Sequence, residues 1–73
     1  MKFTQAALEC IEETGADPEE DLDHLRSGDH TLETLLAFCL DGAGEDRVQG
    51  WREYIDTLAL ELGEWQPRKR GGQ

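Results

Sequence analysis

The sequence predicts an all-α fold: a small three- to four-helix bundle with a long C-terminal helix. Apolar residues recur at spacings of three and four, most regularly from Val48 to Trp65, and a glycine or proline closes each such run. No stretch alternates apolar and polar residues in the manner of a half-buried strand. The 73 residues suffice for one domain with a thin core, since a domain of this size buries a modest share of its surface.

The first helix is predicted to begin after Thr4, a good N-cap, with Phe3 and Leu8 placed as a hydrophobic staple. Ala7, Leu8, Cys10, Ile11 and Thr14 then share one face, Glu9, Glu12 and Glu13 the other, and Gly15 supplies the stop. Asp17-Pro18 followed by Glu20 reads as an N-cap, a first-turn proline and the acid of a capping box, which opens a second helix ending at Ser27-Gly28. Its apolar residues are only Leu22 and Leu25, so it is expected to be the weakest element.

A third helix starts near Asp29 or Thr31. Leu32, Leu35, Leu36 and Cys39 repeat at helical spacing, and Phe38 and Leu40 widen the apolar arc enough to suggest a central position. Gly42-Ala43-Gly44 forms a tight connection. Glu45 and Asp46 then place negative charge where a helix N-terminus favours it.

The last helix carries Val48, Trp51, Ile55, Leu58, Leu62 and Trp65 as its stripe, flanked by Tyr54 and Ala59. At 1.5 Å per residue, a run of about 20 residues is roughly 30 Å long, the expected spine of the bundle. Gly50 costs about 1 kcal/mol in a helix interior, which suggests that another backbone passes close to it. Pro67 ends the run. The division expected is an acidic helical domain over residues 1–65 and a flexible basic tail over 66–73.

Charge is the strongest compositional signal. Residues 1–65 hold all 17 acids with only Lys2, Arg26, Arg47 and Arg52 as bases, and Arg68, Lys69 and Arg70 bring the total to −10. Nucleic-acid affinity comes from Lys and Arg that release counterions, so direct DNA or RNA binding by the body is disfavoured. No apolar run approaches the roughly 18 residues of a membrane span, and the N-terminus lacks a secretory hydrophobic region. The chain is expected in the cytoplasm, with Cys10 and Cys39 reduced and structural.

Catalysis has little material. Ser27 is the single serine, beside a helix stop, and neighbouring His24 has no evident orienting partner. Cys10, His24, His30 and Cys39 are metal-ligand types, but no two follow a CxxC or HxxxH spacing. The acids from Asp17 to Asp23 lack the ligand alternation and central glycine of a calcium loop. No enzyme, cofactor or metal is therefore expected.

Helix N-termini account for Asp17, Glu19, Glu20, Glu45 and Asp46, and solubility accounts for part of the rest. Glu9, Glu12, Glu13, Glu19, Glu20 and Asp23 together put like charges within about a Debye length, ~10 Å at 0.1 M salt, on the first two helices. These six are the expected partner-binding residues. The partner expected is a protein with a basic surface, of which a nucleic-acid-binding complex is one instance, with carboxylates standing where phosphates would. In size, acidity and want of catalytic groups the chain resembles the small helical inhibitors that phages and mobile elements direct against CRISPR or restriction complexes. The resemblance is one of kind and rests on no motif.

Gly71-Gly72-Gln73 resembles the terminus of prokaryotic ubiquitin-like protein. The likeness covers three residues, and that largely disordered family lacks packed helices with tryptophans, so a plain frayed end is the preferred reading. The alternative function is a small structural or assembly subunit. Leu60 lies off the stripe and Phe38 at the margin of its arc, so apolar helix faces remain through which a homodimer could form.

Overall fold

The computed structural model describes residues 1–63, an arrangement of four α-helices with no strand among them. The helices are α1 (Gln5–Thr14), α2 (Pro18–Ser27), α3 (Leu32–Leu40) and α4 (Val48–Glu61), the last preceded by a 3-10 turn over Glu45–Arg47. None is long and apolar enough to cross a membrane. Trp65, the Pro67 stop and the basic tail over 66–73 lie outside the described residues.

Local signals set the helix ends. The Thr4 hydroxyl accepts from the Ala7 N–H at 3.1 Å, and Gly15 closes α1 in the left-handed region at φ 74°. The Asp17 carboxylate accepts from the Glu19 and Glu20 N–H groups with Pro18 at the first position of α2, and Gly28 closes that helix at φ 88°. The reciprocal capping box stands at α3 instead, where Thr31 and Thr34 exchange side-chain-to-backbone bonds of 2.9 and 3.1 Å. The start of the C-terminal run departs from expectation, because Glu45–Arg47 winds as a tighter turn and the α-helix proper begins at Val48.

The spine is α4. With its C-cap Leu62 it contributes Trp51, Tyr54, Ile55 and Leu58 to a core completed by Ala7 and Cys10 of α1, Leu22 of α2 and Leu35 of α3. The α1–α4 contact is the most extensive, and Gly50 allows it: a Cβ there would lie 2.6 Å from the Ala6 carbonyl oxygen. The Thr4 hydroxyl also donates to Glu53, which accepts from Gln49 as well, so the cap of α1 is tied to α4 and the Glu53 carboxyl is held below its ordinary value.

Three expectations are corrected. Phe3 stacks on Tyr54 with ring centroids 5.5 Å apart, while Leu8 is 40% exposed, so a ring stack against α4 takes the place of the staple. Tyr54 is no flank: it is wholly buried at the middle of the core, with Trp51 edge-on at 5.3 Å. Nor is α3 central. Only Leu35 is fully buried on it, because its apolar arc is wider than the face α4 covers, and Phe38 is left 75% exposed.

Candidate functional site

The six acids expected to face a partner divide into two groups in the structure. Arg47 reaches back across α1, its Nη1 donating to Glu9 at 3.1 Å and its Nε donating to Glu13 at 2.9 Å, with a second, very short bond from Nη2 to Glu13. This forked pairing uses the planar donors of arginine on two carboxylates one helical turn apart. Donating to Glu13 holds the Arg47 guanidinium above its ordinary range. Glu9 and Glu13 thus fasten the start of α4 to α1, and the Cys10 thiol completes the junction by donating to the Arg47 carbonyl at 3.7 Å. Burial pushes that thiol above its ordinary value, as expected of a structural cysteine.

Glu12, Glu19, Glu20 and Asp23 are exposed, and their carboxylates form no hydrogen bond or ion pair among the described residues. Glu19 and Asp23 lie one turn apart on α2. Their neighbour Asp21 turns inward instead and accepts a very short hydrogen bond from the Tyr54 hydroxyl. That bond gives α2 a polar anchor to add to buried Leu22, which offsets its thin apolar contribution.

Beside these acids the turn joining α1 to α2 and the second half of α3, with Trp51 of α4, border an open groove of about 430 Å³. Asp17, Glu20, Asp21 and Asp41 supply carboxylates to its lining, and Leu35, Phe38, Cys39 and Trp51 supply apolar surface. Phe38 is the most exposed of these apolar groups, Trp51 among the least. Burial pushes the Cys39 thiol up to about 11, and the nearby Asp21 charge adds to the effect. Periodicity could not have shown this site, since it brings together residues from three segments of the chain.

The histidines take up local work. His24 Nδ1 lies 3.1 Å from Asp29 Oδ2, which raises the imidazole above its ordinary value and lowers the carboxyl. The His30 ring meets it edge-on with centroids 5.4 Å apart. Ser27 donates its hydroxyl to the His24 carbonyl at 3.1 Å, a helix-end bond to backbone and not one to the imidazole. Among the described residues, no group of three or more His, Cys, Asp or Glu is placed to hold a metal ion. Compared with known protein families, with curated proteins and with solved structures, the chain matches none.

Proposed function

We propose that the chain is a non-enzymatic acidic module that docks on a basic surface of a partner protein, and that the partner is a nucleic-acid-binding complex inhibited by loss of its Arg/Lys groove. One observation supports this reading above the others. After Arg47 has taken Glu9 and Glu13, the carboxylates of Glu12, Glu19, Glu20 and Asp23 remain exposed with no ion pair among the described residues, three of them on a helix capped at both ends. Carboxylates held at fixed spacing can replace phosphates on a surface built to receive them. The role resembles that of phage anti-CRISPR inhibitors: competition for the groove, with no chemistry required. Steering by the net charge of −10 would speed encounter with a cationic partner and fade as salt shortens the Debye length.

The test uses a partner captured from the native host. Raising salt, or adding duplex DNA, is expected to release the chain, and changing Glu12, Glu19 and Asp23 together to Gln, Gln and Asn is expected to slow association about tenfold with the helical signal unchanged. A partner that holds chain and nucleic acid together, or whose grip ignores salt, would defeat the reading.

The second reading, an assembly subunit that self-associates, draws on Phe38 and Leu60, which are 75% and 78% exposed. Single exposed apolar residues are ordinary on a protein surface, and two copies at −10 each repel. Sedimentation at low salt is expected to show a monomer. A dimer abolished by Leu60→Glu would reverse the ranking.

A further inference from the structure

We propose that the groove between the α1–α2 turn and α3 receives an arginine side chain from a basic segment of the partner protein. The inference rests on the reading of the chain as an acidic module and names the group that the module grips. Its volume, about 430 Å³, falls within the ~300–1,000 Å³ of pockets that enclose small ligands, room for one long side chain and part of the residue beside it.

Charge points to the occupant. Among the described residues, four carboxylates and no Lys or Arg line the groove. Those of Glu20 and Asp41 have no hydrogen bond or ion pair among the described residues, whereas Asp21 is oriented by the Tyr54 hydroxyl and keeps lone pairs to spare. Acids with no ion pair among the described residues, in a concave site, are complementary to a cation brought from outside.

The apolar lining separates arginine from other cations. A hydrated metal ion would make no use of Leu35, Cys39, Trp51 and Phe38, and lysine, whose stem could cover them, carries a strongly hydrated point charge that stacks less well on a ring. Arginine would: its methylene stem covers apolar surface, its weakly hydrated guanidinium stacks on an aromatic face, and its five donors reach several carboxylates at once. Phe38, at 75% exposure, offers a ring to such stacking that the fold itself leaves uncovered.

The experiment follows the amide spectrum of the full ¹⁵N-labelled chain at low salt as it is titrated with three capped tetrapeptides, Gly-X-Leu-Gly, in which X is arginine, lysine or citrulline. The arginine peptide is expected to shift the amides of Ala16, Glu20, Phe38 and Asp41 saturably, the lysine peptide to bind several-fold more weakly, and the citrulline peptide not to bind. Changing Glu20 to Gln and Asp41 to Asn together should weaken the arginine peptide about tenfold, and Phe38→Ala about threefold, with far-UV dichroism unchanged. Equal response to lysine and arginine, or shifts spread over Glu12, Glu19 and Asp23 and indifferent to the groove variants, would overturn the arginine site while leaving the acidic module standing. Groove amides that move without peptide when Arg68, Lys69 and Arg70 are changed to Ser would make the chain's own basic segment the occupant and also overturn it. No response to any cationic peptide would count against both readings.

Discussion

Gly50→Ala is expected to lower stability by about 2 kcal/mol, although alanine is by about 1 kcal/mol the better helix former. The new Cβ would sit 2.6 Å from the Ala6 carbonyl oxygen and 2.7 Å from Cys10 Sγ. A side chain can rotate away, but the carbonyl of Ala6, in the first turn of α1, is fixed by the helix backbone and cannot. The whole of α1 must therefore move off α4, and the contact it loosens holds the fully buried Ala7 and Cys10. Such overpacking costs about 1–3 kcal/mol, and occasionally more, when side chains can adjust. Here the obstacle is backbone, so the upper end applies and exceeds the propensity gain. In a domain of this length a loss of ~2 kcal/mol lowers Tm by about 8–16 °C, which thermal unfolding followed by dichroism will read. Adding Cys10→Ala removes the sulfur but not the carbonyl, so a double-mutant cycle should show partial relief. A Gly50→Ala variant as stable as the parent would mean that the two helices do not cross as closely as described.

That crossing was legible in the sequence, as were both ends of α1 and α2 and the start of α3, for the same reason. Thr4, Asp17 and Thr31 bond to backbone two or three residues away, and Gly15 and Gly28 adopt a backbone conformation costly to other residues, so their effects are local and visible in one turn. A glycine inside an apolar stripe likewise announces a close neighbour. What periodicity could not give was which of two adjacent stripe positions lies deepest. Tyr54 and Ile55 both fall within a turn of Trp51 and Leu58, and Tyr54 is the deeper because Phe3 covers it from the segment before α1 and Asp21 meets its hydroxyl from α2. The fate of the acids was equally hidden. Glu9, Glu12 and Glu13 are alike in sequence, yet Arg47, 34 and 38 residues away from its partners, takes Glu13 and Glu9 and leaves Glu12. The groove depends on the same kind of distant meeting, of the α1–α2 turn with the end of α3, and no sequence pattern records it.

Tyr54→Ala is expected to leave the chain largely unfolded at 37 °C. Removing a buried aromatic side chain costs about 3–5 kcal/mol, and small domains often possess only about 5 kcal/mol of stability in all. Tyr54→Phe separates the ring from its hydroxyl. The ring keeps its stack on Phe3 and its edge contact with Trp51, while the bond to the Asp21 carboxylate is lost, a change of roughly 1.5 kcal/mol for a hydrogen bond to a charged group. Alkaline pH probes the same contact. Burial, then the hydrogen bond to Asp21, pushes the Tyr54 phenol above its ordinary 10.0, and burial holds the Cys39 thiol at about 11 against an ordinary 9.0. Unfolded, both groups would lose their protons near the ordinary values, so above pH 9 the unfolded chain binds fewer protons than the folded one and stability must fall with rising pH. The Cys39 contribution is lost between about pH 9 and 11, and that of Tyr54 begins to fail above 10. Urea midpoints at successive pH values above about 8 are therefore expected to decline as the pH rises, with Cys39→Ala lessening the early decline, to which the raised Cys10 thiol also contributes, and Tyr54→Phe flattening the later part. A midpoint that held steady to pH 11 in the parent chain would place both groups in water, and with them the wall of the groove that Tyr54 supports through Asp21.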